Sequence, residues 1–147
     1  MNKFQLFTIG FTKKNAKTFF TKLKKANVKR ILDIRLNNVS QLAGFAKRDD
    51  LEYFLRELCD CEYVHVPLLA PTKEILDGYK NKKLSWSEYE KRFNDLLVTR
   101  RAHTLVTSSE LQNTCLLCSE PTPDRCHRRL VAEYLRHHFD NIEINHL

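Results

Sequence analysis

Apolar residues along this chain alternate between a spacing of two and a spacing near three and a half. Phe4 to Ile9 alternate with polar neighbours and predict a strand that Gly10 closes. Ala16, Phe19, Phe20, Leu23 and Ala26 then fall on one helical face over residues 15–26, with the lysines on the other and Asn27 as a stop. Residues 28–34 predict a second strand. Its near-continuous Ile31-Leu32-Asp33-Ile34 points to burial on both faces, as in a parallel sheet. Strand, helix and strand in succession make a βαβ unit.

The same alternation continues. A helix is expected over 49–58 and a short strand over 63–66, ended by Pro67. A helix over 71–82 has Thr72 as its N-cap, and Ser85-Trp86-Ser87-Glu88 forms a capping box that opens a long helix. Trp86, Tyr89, Phe93, Leu96 and Leu97 are the stripe that helix buries. Residues 102–113 fit either a short helix or a loop. A fourth strand is expected over 114–118, a helix over 123–138 with Thr122 as N-cap and Pro123 at its first position, and a closing strand over 142–146. The expected fold is α/β: one three-layer domain over residues 1–147, with an open, mostly parallel sheet of about five strands and helices on both faces, Rossmann-like in topology.

Composition narrows the class. The 147 residues, 42% of them hydrophobic, suit one globular domain. No apolar run reaches membrane-spanning length and no signal-peptide pattern opens the chain, so a cytoplasmic protein is expected. Five cysteines, an odd number, argue for reduced thiols. With three glycines in all, neither a P-loop nor a dinucleotide fingerprint can be written. The net charge of +7 is concentrated in Lys13, Lys14, Lys17, Lys22, Lys24, Lys25, Lys29 and Arg30, which favours anionic partners, either a small molecule or nucleic acid.

In an open parallel sheet, ligands bind beyond the carboxyl ends of the strands. The polar residues expected there are Thr8 and Gly10, Asp33 and Arg35, His65, then Cys118 and Glu120. The richest segment runs from Cys118 through Glu120 to Cys126-His127-Arg128 at the start of the last long helix. Backbone N–H groups there form an anion site that Arg128 can reinforce, and the same field lowers the pKa of a nearby thiol. His127 shares a helical stripe with Leu130, Val131, Tyr134 and His138 and therefore points towards the sheet rim.

Cys118-x-Glu120, two prolines and Cys126-His127-Arg128 resemble the hallmark of the family catalogued as domain of unknown function 488. Thr8-Ile9-Gly10, Asp33-Ile34-Arg35 with Ser40, Tyr63-x-His65-x-Pro67 and the terminal His146 resemble its other motifs, so the resemblance spans essentially the whole chain. It implies a three-layer α/β fold and supplies no reaction. The chain departs from the family pattern at Phe11-Thr12, where a His and a small hydroxyl residue are common, at Asn38 in place of Pro, and at Leu69-Ala70-Pro71 in place of Leu-Gly-Gly.

The leading expectation is an enzyme acting on a phosphorylated or otherwise anionic substrate by hydrolysis or group transfer. Arg35 and Arg128 hold the anion, with Thr8, Gly10, Asp33 and Ser40 around it. Glu120 and His127, or His65, move protons, and Cys126 is the candidate nucleophile. No cofactor is required. Two rivals belong to other classes. One is a nucleic-acid-binding module using the lysine-rich helix. The other is a thiol redox or zinc protein through Cys118 and Cys126, with His127 completing a metal site.

Overall fold

The structure is a computed structural model that describes residues 3–39, 44–120 and 122–147. Five strands, β1 (Phe4–Gly10), β2 (Arg30–Asp33), β3 (Glu62–His65), β4 (Thr114–Cys118) and β5 (Ile142–His146), form one sheet in the order β3-β2-β4-β1-β5. Every pairing is parallel, with Gly10 beside Cys118 and Asp33 beside both His65 and Leu117. The six α-helices among the described residues are α1 (Ala16–Lys25), α2 (Arg48–Cys59), α3 (Lys73–Lys80), α4 (Trp86–Thr99), α5 (Ser108–Leu111) and α6 (His127–His138). None is long and apolar enough to cross a membrane.

Strand alternation divides the core in two. Leu6, Leu32 and Leu116 pack with Phe93 and Leu97 of α4 and Leu130, Val131 and Leu135 of α6. Their sequence neighbours Phe7, Ile31, Cys115 and Leu117 pack on the opposite face with Phe19, Phe20 and Leu23 of α1 and Leu51 and Leu55 of α2. This is the three-layer α/β arrangement. The central strand β4 is buried along its whole length, which explains the run of apolar and thiol side chains after Thr114. Lys17, Lys22, Lys24 and Lys25 form the exposed face of α1.

Local signals set the helix ends. Asn15 and Thr72 accept N-cap bonds from Thr18 and Ile75, and the Ser85–Glu88 capping box is complete. Asn27 stops α1 in the left-handed region at φ 57°. The 102–113 region resolves into a short 3-10 turn and then α5, which carries its own capping box from Thr107 and Glu110. One boundary differs from expectation. The last long helix starts at His127 and not at Pro123, and Thr122 is not its N-cap. Residues 122–126 run through bends and turns instead. Proline pre-set for a first helical turn is equally suited to an ordinary turn. Cys126 is extended at the N-cap position (φ −137°, ψ 140°), and its side chain makes no capping bond.

Chain direction locates the candidate rim. The β1–β2 and β2–β3 connections carry α1 and α2 on one face; the β3–β4 and β4–β5 connections carry α3 to α6 on the other. Neighbouring β2 and β4 therefore send their following loops to opposite sides. A topological switch point of this kind opens a crevice at the carboxyl ends of the strands.

Candidate active site

A cleft of about 840 Å³ occupies that crevice. The turn after β2 contributes Arg35 to its wall, and the segment after β4 contributes Cys118, Glu120, Arg125, Cys126 and His127. Helix α3 adds Lys73, Asp77 and Lys80, so cations outnumber carboxylates along the lining.

Three side chains meet on the cleft floor. Cys118 ends β4 in the same alternation as Leu116, which turns it towards the α6 face. His127, the first residue of α6, presents Nδ1 to Cys118 Sγ at 3.4 Å, and its Nε2 lies 2.7 Å from the Ile34 carbonyl oxygen. A carbonyl can only accept, so Nε2 carries a proton and the second proton is shared between Nδ1 and the sulfur. Phe93 packs edge-on against the imidazole. Cys126 donates from Sγ to Cys118 Sγ at 2.8 Å. All three residues are buried.

These contacts set the charge state. Burial alone raises the Cys118 thiol, but the Cys126 bond, the charge and hydrogen bond of His127 and the Glu120 N–H outweigh it. They hold Cys118 well below the ordinary thiol range. Burial likewise disfavours the His127 cation, yet its partners Cys118 and Ile34 raise its pKa. Both shifts favour the charged forms of the two partners, Cys118 as thiolate and His127 as imidazolium. Cys126 goes the other way: burial, its donated bond and the neighbouring Cys118 charge push it well above the usual value. The expectation of a low-pKa thiol at Cys126 is therefore not met. The two sulfurs differ in their neighbours: Cys118 faces the His127 imidazole, whereas Cys126 faces Cys118.

A second cluster fixes Arg35. Its Nε and one terminal nitrogen bind Asp33 Oδ1 and Oδ2 at 2.8 and 2.7 Å, and both residues are almost fully buried. Tyr63 donates to the same carboxylate, and Asn38 donates to the Tyr63 hydroxyl at 3.0 Å. The guanidinium stands 5.3 Å from the Phe11 ring centroid. Its remaining terminal nitrogen, Nη1, is buried without a partner among the described residues. His65 turns Nε2 to the Arg35 carbonyl oxygen at 2.8 Å and does not line the cleft. Phe11 and Asn38, two departures from the expected motif pattern, thus both contribute to the seat of Arg35.

Arg128 lies behind the Glu120 turn and outside the cleft wall. It is fully buried, donating from Nε to Thr8 Oγ1 at 3.2 Å and from Nη1 to the Glu120 carbonyl oxygen. Its Nη2 has no partner among the described residues. Thr8 also meets His146 Nδ1 at 2.6 Å, which ties β5 to the rim. Gly10 packs against the Glu120 carbonyl and the Arg128 guanidinium so closely that a Cβ would overlap both. Thr8, Gly10 and Arg128 thereby position the 118–120 turn from behind. The Glu120 carboxylate is exposed at the cleft mouth. The desolvation it does undergo and the Cys118 charge raise its pKa, against the pull of Arg128 and His127.

Of the residues expected to act together, Arg35, Glu120, Cys126 and His127 share the cleft, with Cys118. Ser40 lies outside the described residues. Tyr63, Asn38 and Phe11 also serve the site, and of these only Tyr63 carried a sequence signal, its place in the Tyr63-x-His65-x-Pro67 motif. The ligand atoms of Cys118, Cys126 and His127 lie within 4.8 Å of one another and offer a soft donor set. Two thiolates on one tetrahedral zinc stand about 3.8 Å apart. At 2.8 Å these sulfurs are arranged as a thiol pair and would have to separate to share an ion.

No curated protein and no solved structure matches the chain. The model of one family, described as Domain of unknown function DUF488, matches residues 15–135. With most of its length matched, including the Cys118-to-Arg128 segment and both strands that flank the cleft, the chain belongs to the DUF488 family.

Proposed function

We propose that the protein is a thiol-dependent enzyme that transfers or hydrolyses a group on an anionic substrate, with Cys118 as nucleophile. The observation that carries this reading is the Cys118–His127 pair on the floor of a cleft that also holds Arg35. A thiolate is nucleophilic where a thiol is not, and a cationic imidazole at hydrogen-bond distance maintains that state.

Arg35 supplies the anion contact. Two of its nitrogens are committed to Asp33, which fixes the guanidinium plane, and Nη1 remains to donate to a phosphate or carboxylate oxygen. Lys73, Lys80 and Arg125 add positive potential around it. In the first step Cys118 Sγ bonds to the electrophilic phosphorus or acyl carbon. The bond to the leaving oxygen breaks, and that oxygen takes a proton from Glu120. In the second step water attacks the same centre and gives a proton to Glu120, and the bond to sulfur breaks to return the thiolate.

Protection by inorganic phosphate tests this reading. Phosphate is expected to slow iodoacetamide labelling of Cys118 several-fold in the wild type, and the protection should disappear in Arg35→Lys. Lysine keeps the charge but cannot both pair with Asp33 and present a fixed donor. Equal protection in the two proteins, with cooperative unfolding of both verified, would place the anion elsewhere.

A further inference from the structure

Cys126 donates to the nucleophile's sulfur at 2.8 Å but exchanges no bond or proton in the transfer steps. We infer that Cys126 is a resolving thiol, and that Cys118 and Cys126 form a reversible disulfide that switches the site off under oxidising conditions. The inference rests on the reading of Cys118 as the reactive thiol.

Three observations carry it. The two Sγ atoms stand 2.8 Å apart and both cysteines are free, so closing to the disulfide bond length of about 2.05 Å needs a shift of under about 1 Å. The shift falls where the backbone can take it, because Cys126 ends the irregular 122–126 segment and is extended at the N-cap of α6. Its side chain makes no capping bond, so α6 loses no cap if the sulfur moves. Both cysteines line the cleft, which gives a small oxidant a path to them.

The other cysteines do not compete. Cys115 is fully buried in the core on the opposite sheet face. Cys59 and Cys61 sit at the end of α2 and beside β3, bonded to the Phe20 and Glu62 carbonyls. Oxidation within the cleft is therefore confined to one pair.

The chemistry balances with a hydroperoxide as oxidant. The Cys118 thiolate attacks one peroxide oxygen, the O–O bond breaks, and the sulfur loses two electrons to become a sulfenic acid while hydroxide leaves. Cys126 then gives up its proton and attacks Cys118 Sγ. The S–S bond forms, the S–O bond breaks, and the departing hydroxide is protonated to water. An external dithiol reverses the bond by exchange, returning both thiols. A second thiol poised against the first intercepts the sulfenic acid before it proceeds to the irreversible sulfinic state.

The test treats full-length protein with hydrogen peroxide, then alkylates it under denaturing conditions and maps the cysteines by mass spectrometry. A parallel sample, unoxidised, is alkylated in the native state near pH 6, with and without chelator. The expected result is loss of two alkylatable thiols, a Cys118–Cys126 linked peptide, unchanged Cys59, Cys61 and Cys115, and full recovery with dithiothreitol. In Cys126→Ser, Cys118 should stop at a sulfenic acid trapped by dimedone and then advance to sulfinic acid. Wild-type Cys118 that reacts natively but oxidises to sulfinic acid without a link would overturn the disulfide and leave the nucleophile standing. Cys118 inert in the native sample would overturn both. Native labelling of the pair only after chelation would identify it as a metal site and likewise overturn the switch.

Discussion

At Gly10 the chain has no room for a side chain: the Glu120 carbonyl and the Arg128 guanidinium occupy the space a methyl would take. The crowding is what seats the 118–120 turn against β1, so that Cys118 ends its strand opposite His127. Gly10→Ala should force the turn outward and lower stability by about 1–3 kcal/mol, the usual cost of overpacking, read as a lower urea midpoint at unchanged slope. A midpoint equal to wild type would show that the turn is not held this way. At this scale the sequence marks charged and polar residues at strand ends and so brings Asp33, Arg35 and Cys118 to notice. It does not reveal which of two cysteines, eight positions apart, faces an imidazole whose other nitrogen is held by Ile34. It also hides the roles of Phe11 and Asn38, which act on Arg35 only through contacts that folding creates.

Elements with strong end signals are legible in the sequence nearly to the residue. The Ser85–Glu88 capping box opens α4 where expected, and both reciprocal bonds form, at 3.1 and 3.3 Å. Ser85→Ala removes the cap acceptor and should cost about 1 kcal/mol, measured by urea unfolding, with no change in Cys118 labelling because α4 meets the site only through Phe93 and Tyr89. A loss near zero would mean that packing of Tyr89, Phe93 and Leu97 alone fixes the helix start. The start of α6 is less legible. Thr122-Pro123 carries an N-terminal signature, but the chain delays the helix to His127. The delay lets Cys126 reach Cys118 and puts His127 at the first helical position. Local propensity yields here to the side-chain cluster, as expected where a site imposes its own geometry.

Taken whole, the molecule follows from alternation of strand and helix, and the parallel sheet, its two buried faces and the rim are all readable from hydrophobic spacing. Strand order is not, since the pattern along one chain does not say which strands are neighbours. That order puts β2 next to β4 with their loops diverging, and so brings residues 35 and 118 to one cleft. The lysine face of α1 belongs to the opposite layer from Cys118 and His127. Its charge therefore adds to the general field without touching the thiol. If His127 maintains a thiolate at Cys118, the pH dependence of alkylation will show it. Iodoacetamide labelling of each cysteine is followed by mass spectrometry from pH 5 to 9 in the wild type and in His127→Ala. A depressed pKa keeps the thiolate populated as pH falls, so wild-type Cys118 should remain reactive near pH 6, while Cys59, raised by burial, loses reactivity well above that pH. In His127→Ala the Cys118 midpoint should move up towards or beyond the ordinary thiol value of about 8.5. A wild-type Cys118 that labels only in the alkaline range, or a midpoint unmoved by loss of the imidazole, would show that His127 does not maintain a thiolate there.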